Sequence, residues 1–147
     1  MKTHHKVISI ETEECLQFID ITEKVEEVVK ESGIKNGLVN IQTNHTTAML
    51  VLNENEPLLI DDMKEHLDTL SPIAKEYRHD NFEIRTVNMC DDECANGHSH
   101  CKALHLNSSL TLNLLGEEIQ FGTWQRVMFI ELDRSRPRKV QIMVIGE

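Results

Sequence analysis

The sequence has few aromatic residues and fewer basic residues than acidic ones. One Trp, one Tyr and four Phe make up 4% of the 147 residues, and 15 Lys and Arg stand against 25 Asp and Glu. Nucleic-acid-binding proteins need clustered basic side chains to displace counterions, and many add aromatic rings on which bases stack. The net charge of −10 and the scarcity of rings therefore argue against a nucleic-acid partner.

Long apolar runs are also absent. No run approaches the roughly 18 residues that indicate a membrane-spanning helix, and the opening MKTHHKVISIETEE lacks the apolar centre of a secretory signal. We therefore expect a cytoplasmic protein that does not bind membranes. In that compartment the four cysteines are expected to be reduced thiols rather than disulfides. They are Cys15, Cys90, Cys94 and Cys101.

Two segments show the spacing of amphipathic helices. The first is DITEKVEEVVKESG, in which Asp20 can cap the helix and Gly33 can end it. The second has Pro57 in its first turn, capped by Asn55 or a neighbour, and ends at Ser71. Both helices lie in the first half of the chain.

Runs of β-branched and alternating apolar residues predict strands elsewhere. The first two, 5–10 and 16–19, are close enough in sequence to form a hairpin. The remaining runs are 37–43, 46–52, 109–115, 118–121, 123–132 and 138–145. Residues 73–107 show no clear period and are expected to be irregular. The pattern predicts one α+β domain over residues 1–147, with a mainly antiparallel sheet or sandwich.

The segment NGHSHCK at 96–102 concentrates potential metal ligands. On an extended segment, His98 and His100 would share a face and could chelate a divalent ion, whereas on a helix they would diverge. Two solvated loop histidines are the alternative. A structural zinc knuckle is a third interpretation, disfavoured by its three-residue spacings. Its ligands would be Cys90, Cys94, His98 and Cys101.

Other polar groups are compatible with either a site or a structural role. His45 lies between two predicted strands, and Glu54, Asn55 and Asp62 lie near the start of the second helix. Unpaired N–H groups there favour anions, although simple helix capping explains the same residues. Basic residues at Arg126 and in the turn 134–139 could hold a phosphate or protect a sheet edge. No phosphate-binding loop, dinucleotide fingerprint or nucleophile elbow occurs.

A series of short motifs extends over nearly the whole chain. They are HTTA at 45–48, NEN at 53–55, Asp62, YxH at 77–79, SHCK at 99–102, GTWQ at 122–125, Glu131 and the terminal GE. Taken together and in this order, they resemble the YjbQ-like family, whose members are often named secondary thiamine-phosphate synthase enzymes. Two positions depart from the usual pattern: the segment that follows SHCK, and Arg126, which follows GTWQ. These departures leave the substrate specificity open.

The resemblance implies a β-sandwich with two or three helices, assembled as a homotrimer, with a divalent metal, zinc before others, in a cleft. The metal ligands it implies are His45, His79 and His100. The catalytic residues it implies are Glu54, Asp62 and Glu131. The substrate-binding residues it implies are Asn55, Lys102, Trp124 and Arg126. His98 stands at a position that varies in the family, and whether two subunits share the cleft is left open.

The function implied by the resemblance is that of a metal-dependent enzyme acting on a small, phosphorylated substrate, such as a transferase similar to thiamine-phosphate synthase. Glu54 or Asp62 would act as a general base, and Trp124 would form an apolar wall or stack on a substrate ring. The alternative from a different class is a non-catalytic homotrimeric protein that binds metal or serves as a scaffold.

Overall fold

The computed structural model describes residues 1–147 and contains eight strands, three α-helices and one 3₁₀ turn. The strands are β1 (Lys2–Glu11), β2 (Gln17–Asp20), β3 (Gly37–Thr43), β4 (Ala48–Asn53), β5 (Ser109–Leu115), β6 (Glu118–Ile119), β7 (Arg126–Glu131) and β8 (Pro137–Gly146). The helices are α1 (Thr22–Ser32), α2 (Pro57–Leu70) and α3 (Gly97–Ala103), and the 3₁₀ turn is Arg78–Asp80. None of the helices is long and apolar enough to span a membrane.

The strands form two antiparallel sheets, which confirms the predicted α+β class. The larger sheet has the order β1-β8-β3-β5-β6, and the smaller one has the order β2-β7-β4. The predicted hairpin of the first two strands is wrong. β1 pairs with β8 over its whole length, and β2 pairs with β7 in the other sheet. β1 and β8 are both ten residues long, so this pairing satisfies far more backbone groups than a short hairpin would.

One apolar core joins the two sheets and α1. Alternate residues of β3 and β8 point inward, as the two-residue period of a strand requires. They meet Leu50 and Phe129 from the smaller sheet. Val25, Val28 and Val29 of α1 complete this core. The central strand β7 is buried along most of its length. Packing on both faces therefore fixes the positions of its two end residues, Arg126 and Glu131.

The two predicted helices are confirmed, with small differences at their ends. The carboxylate of Asp20 accepts a hydrogen bond from the Thr22 N–H at 2.9 Å, and α1 ends at Gly33 with a φ of 61°. The cap of α2 is Glu56 rather than Asn55. Its carboxylate accepts from the N–H groups of Leu58 and Leu59 at 3.1 and 2.7 Å.

The prediction that residues 73–107 are irregular is wrong in part. This segment contains the 3₁₀ turn and α3. The helix α3 is only seven residues long, and histidines occupy positions at which an amphipathic helix usually has apolar residues. A segment this short shows too few turns for a 3.6-residue pattern to emerge. It coincides with most of NGHSHCK, so the extended arrangement considered for His98 and His100 does not occur.

Candidate anion-binding cleft and histidine pair

A cleft of about 870 Å³ opens where β4 begins and β7 ends. Four arginines line it, and we call it the arginine cleft. They are Arg78, Arg85, Arg134 and Arg136. Thr46 and Thr47, just before β4, lie on the same lining, together with His79 and His100. The cleft therefore combines hydroxyl donors, cations and imidazoles on one concave surface.

The arginines of the cleft differ in how far they are neutralised. Arg85 lies 3.2 Å from Glu93, and Arg136 lies 3.4 Å from Asp133. Arg134 donates only to the backbone carbonyl of Asp92, at 3.4 Å. The Arg78 guanidinium, exposed in the lining, has no hydrogen-bonding or ionic partner within the chain.

Positive charge therefore predominates in the cleft although the whole chain is acidic. Asp92 and Glu93 are the only carboxylates on a lining that carries four arginines. Charge of one sign in a concave site raises the local concentration of oppositely charged ligands. The planar guanidinium also matches the geometry of phosphate and carboxylate oxygens. The lining is therefore complementary in charge and geometry to an anionic group.

Two histidines meet at the side of the arginine cleft. The rings of His79 and His100 lie 4.7 Å apart between centroids, at an interplanar angle of 65°. The Nε2 atom of His79 is buried and has no hydrogen-bonding partner. A buried ring nitrogen without a partner costs free energy, so this atom is suited to contact a bound group.

The surroundings of His100 keep its imidazole neutral at neutral pH. Burial, the neighbouring His79 and the charge of Arg85 together hold the pKa of His100 below its ordinary value of 6.5. Burial also lowers the pKa of His98, with a further contribution from Lys102. Neutral imidazole can accept a proton or a metal ion, which the protonated form cannot do.

These shifts predict that metal-free protein loses stability on acidification. A histidine with a pKa lowered by folding binds a proton more readily in the unfolded chain, so its stabilising contribution is present above pH 6.5 and declines below it. Urea unfolding in EDTA should therefore give a lower midpoint at pH 5.5 than at pH 7.5. The difference should shrink in His98→Gln and His100→Gln but not in His66→Gln, which is exposed on α2. An equal difference in all four proteins would contradict this prediction.

Asp80 holds α3 in place and thereby brings the two histidines together. Its carboxylate accepts hydrogen bonds from the N–H groups of Asn96 and Gly97, at 2.9 and 2.8 Å, in the first turn of α3. Gly97 allows this close approach, because a Cβ there would lie 2.5 Å from the Cβ of Tyr77. His79 precedes Asp80 in sequence, so the same contact orders the histidine pair.

Replacing Asp80 with alanine should lower the free energy of unfolding by about 1.5–3 kcal/mol, the range for hydrogen bonds to a charged group. Both N–H groups at the start of α3 lose their partner in this variant. Urea denaturation followed by circular dichroism measures the change. Asp91→Ala is the matched control, since Asp91 is exposed and accepts no hydrogen bond. Equal stability of the two variants would show that Asp80 does not hold α3.

His98 and Lys102 lie on the other side of α3, away from the cleft. The Nδ1 of His98 is 3.3 Å from the hydroxyl of Ser99 and 3.4 Å from the Nζ of Lys102. Lys102 is fully buried and also donates to the backbone carbonyl of Ser71 and to Asp68. Lys102, predicted to bind substrate, therefore connects α3 to the end of α2 in this structure.

Glu131 is buried in an ion pair that connects the two sheets. Arg138 of β8 donates to both of its carboxylate oxygens, at 2.6 Å each. Thr12 and the N–H of Asp133 donate to the same carboxylate at 2.9 and 3.0 Å. Arg138 also donates to the hydroxyl of Thr47, at 3.1 Å. Glu131 thus stabilises one wall of the cleft without lining it, and its catalytic role stays a prediction.

The three predicted metal ligands do not come together within one chain. His79 and His100 are in contact, whereas the Nε2 of His45 accepts a hydrogen bond from the Lys139 N–H at 3.0 Å. No group of three His, Cys, Asp or Glu side chains is placed to hold a metal ion. The same holds for the proposed zinc knuckle, whose cysteines are all free thiols.

The remaining predicted site residues lie at the opposite end of the β4–β7 pair. Arg126 donates to Asp20 at 2.6 Å, and Asn55 donates to the same carboxylate oxygen at 3.1 Å. Asp62 is exposed on α2, Glu54 is half-buried just after β4, and Trp124 is 71% exposed. The register places Ala48 opposite Glu131 and Asn53 opposite Arg126. At about 3.3 Å per residue, these two ends are about 17 Å apart.

The sequence prediction missed most of the cleft. The lining includes Arg78, Arg85, Thr46 and Thr47, and Asp80 holds α3 against it. The sequence prediction names only their neighbours His45 and His79 as site residues. The basic turn that contains Arg134 and Arg136 is the part of the lining that the sequence does predict, as a candidate phosphate contact. A signal for the rest was the excess of arginine over lysine in 78–138 of an acidic chain, because arginine is the preferred residue for bidentate anion recognition.

The fold and the site define a class: an antiparallel α+β protein with an arginine-lined cleft beside a pair of histidines in contact. The sequence profile of the family described as "UPF0047 protein YjbQ-like" matches residues 6–147. The chain therefore belongs to the YjbQ-like family, as its motifs indicated.

Relatives and solved structures agree along nearly their whole lengths. The chain is 32% identical to a UPF0047 protein of Methanothermobacter thermautotrophicus, over all of this chain and 95% of that one. It is 32% identical to UPF0047 protein YugU of Bacillus subtilis, covering 96% and 98%. A crystal structure from Sulfolobus solfataricus P2, described as a YbjQ-like protein of unknown function, matches with a TM-score of 0.86 and 31% identity, covering 99% of each chain. A hypothetical protein from Aeropyrum pernix K1 matches with a TM-score of 0.86, 32% identity and full coverage of both chains.

Proposed function

We propose that this protein is an enzyme acting on a small, phosphorylated substrate that binds in the arginine cleft. One observation carries the proposal: four arginines and a neutral histidine face the same cavity in an acidic chain. Hydrogen bonds from charged donors to phosphate oxygens are short and about twice as strong as neutral ones. Arg78 and Arg134 supply such donors without first breaking an ion pair.

The histidine pair supplies acid–base chemistry beside the bound anion. His100 is neutral at pH 7 because burial and neighbouring charge lower its pKa. It can therefore accept a proton from a substrate hydroxyl or from water when that group is within hydrogen-bond reach. Thr46 and Thr47, on the same lining, can donate hydrogen bonds to the substrate. A transferase that joins phosphorylated compounds, similar to thiamine-phosphate synthase, is the reaction class that the family resemblance suggests.

The histidine pair supplies only some of the ligands that a divalent metal such as zinc requires. The buried Nε2 of His79 lacks a partner and lies beside the ring of His100, so two imidazoles are available. Catalytic zinc sites usually take three protein ligands, and His45 is engaged with the backbone of Lys139. No chemical step therefore requires the metal in this proposal.

A second candidate is a homotrimeric protein that binds metal or serves as a scaffold without catalysing a reaction. The unpartnered Nε2 of His79 favours it, because a metal ion would satisfy this atom in the absence of any substrate. A β-sandwich arrangement of the two sheets and a homotrimer belong to both candidates. A structural ion should raise the melting temperature strongly, since its binding free energy adds to that of folding.

The test that separates the two candidates measures metal content and activity together. Elemental analysis of untagged protein, wild type and His79→Ala, His100→Ala and His66→Ala, shows whether a metal depends on the pair. The same four proteins are incubated with a panel of phosphate and diphosphate esters, each alone and in pairs so that one compound can act as the acceptor, and released phosphate or pyrophosphate is measured. Turnover that His100→Ala abolishes and His66→Ala retains supports the enzyme. Metal bound through the pair, a chelator-sensitive melt and no turnover on any ester support the second candidate.

A further inference from the structure

A second cleft, of about 470 Å³, shares the histidine pair with the arginine cleft. Three residues line both cavities: Arg78, His79 and His100. The rest of the lining differs, since the second cleft is completed by the segment 75–77 and by Gly97 and Cys101 of α3. We call it the tyrosine cleft, after Tyr77. The histidine pair can therefore be reached from two cavities, of which the proposed function uses only one.

Tyr77 gives the tyrosine cleft a fixed aromatic ring. Its hydroxyl donates a hydrogen bond to the Pro72 carbonyl at 2.9 Å. At the other end of the side chain, Gly97 packs so closely that a Cβ there would lie 2.5 Å from the Cβ of Tyr77. A ring that is already held at both ends loses little conformational freedom when a ligand binds to it. Aromatic rings attract other rings in offset-stacked or edge-to-face arrangements, so a planar ring is the ligand that this surface fits.

Two exposed cations, Lys75 and Arg78, lie beside this ring. The Nζ of Lys75 is 5.5 Å from the centroid of the Tyr77 ring. Because the lysine side chain is flexible, a ligand that stacks on the ring can move this ammonium aside and pair with it. Glu76 is the only carboxylate of the lining, so positive charge is in excess in this cleft too. Such an excess attracts anions, and the ring that stacks on Tyr77 should therefore carry negative charge.

We propose that the tyrosine cleft binds the second substrate of the enzyme, a planar aromatic compound with one anionic substituent. The ring stacks on Tyr77, and the anionic substituent pairs with Lys75. A compound bound there and an anion bound in the arginine cleft both lie against His79 and His100. Transfer between two substrates requires such an arrangement, because both must be held within reach of the same acid–base group. The inference rests on the proposed function in that it concerns the same histidines, and it goes further by giving the second substrate a site and a chemical class.

Tyr77 is the only tyrosine of the chain, so protein labelled with fluorotyrosine gives a single fluorine NMR signal, and that signal comes from this cleft. Benzoate, para-hydroxybenzoate and nicotinate, all planar aromatic anions, should shift the signal to saturation. Cyclohexanecarboxylate has the charge without the aromatic ring, and tyramine has the ring with the opposite charge. Both should bind about two- to tenfold more weakly than the aromatic anions. Equal affinity for all five compounds, or no saturable shift with any aromatic anion, would overturn the proposal.

A variant of the cleft tests the part played by its charge. Lys75→Gln should weaken binding of the aromatic anions by about two- to fivefold, the range for an exposed ion pair, and should leave binding of tyramine no weaker. Lys30→Gln, on the exposed side of α1, is the matched control and should leave all affinities unchanged. Circular dichroism confirms that both variants are folded. Equal affinities of the two variants for the aromatic anions would show that Lys75 does not pair with the ligand.

The cysteines keep this proposal separate from the proposed function. Cys101 lines the tyrosine cleft and not the arginine cleft, whereas the exposed Cys90 lines the arginine cleft and not the tyrosine cleft. Alkylation by iodoacetamide, followed at each thiol by peptide mass spectrometry, therefore reports on each cavity. Benzoate should slow alkylation of Cys101, and inorganic pyrophosphate should slow alkylation of Cys90. Protection of Cys90 alone overturns the second-substrate site and leaves the anion site intact. Protection of Cys101 alone, together with a saturable fluorine shift, means that the anion site fails while the aromatic site stands.

Discussion

Replacing Arg138 with methionine is expected to lower the free energy of unfolding by about 3–5 kcal/mol, the range for breaking a buried ion pair from one side. Both side chains of the pair are buried, with exposures of 4% for Arg138 and 0% for Glu131. The variant leaves the Glu131 carboxylate charged inside the core with only Thr12 and a backbone N–H as donors. Since domains are usually stable by about 5–15 kcal/mol, urea denaturation should show a large change.

Two comparisons decide whether the unpaired charge causes this loss. Lys6→Met removes a cation from an exposed pair with Glu31, and exposed pairs contribute only about 0–1 kcal/mol. The double variant Arg138→Met with Glu131→Leu removes both charges and should recover most of the stability. A double variant no more stable than Arg138→Met would show that lost packing, and not the unpaired charge, accounts for the effect.

The buried pair of Glu131 and Arg138 also connects the core to residues that line the cleft. Glu131 is the last residue of β7 and Arg138 is near the start of β8, so their contact connects the two sheets. Arg138 then donates to the hydroxyl of Thr47, a residue of the cleft lining. The carboxylate of Glu131 also accepts from the N–H of Asp133, which pairs with Arg136 of the cleft. A glutamate that a motif marks can thus shape a site that it does not touch.

Strands were predictable because their pattern is local. The runs 37–43 and 109–115 match β3 and β5 at both ends, since alternation of buried and exposed residues appears directly in the sequence. The pairing of strands was not predictable in the same way. The partner of β1 is β8, more than a hundred residues away, and nearness in sequence pointed wrongly to β2.

For the histidines, too, the residues could be predicted from the sequence but the structure that positions them could not. The family motifs marked His79 and His100, and the structure brings these two together. The helix α3 that orients His100 was missed, because Asp80 and Tyr77, which lie well before it in sequence, determine its position. Local propensity could not reveal a seven-residue helix held by such distant contacts.

Removing the two unneutralised arginines of the cleft should weaken binding of inorganic pyrophosphate by about 100-fold or more. A hydrogen bond to a charged group contributes about 1.5–3 kcal/mol, and each 1.4 kcal/mol is tenfold in affinity. The double variant is Arg78→Ala with Arg134→Ala, and isothermal titration calorimetry measures the dissociation constant. Lys30→Ala, which removes one charge from the exposed surface of α1, should change affinity little.

The ranking of single variants tests the site more sharply than the double variant does. Arg85 and Arg136 are already paired with Glu93 and Asp133, so part of their charge is neutralised before any anion arrives. Alanine in place of Arg78 or Arg134 should therefore cost more affinity than alanine in place of Arg85 or Arg136. A uniform loss at all four positions that disappears at high salt would indicate only long-range attraction, because salt screens distant charges more than direct contacts. A graded loss that persists in salt would show that specific guanidinium groups hold the anion, which is what a substrate site requires.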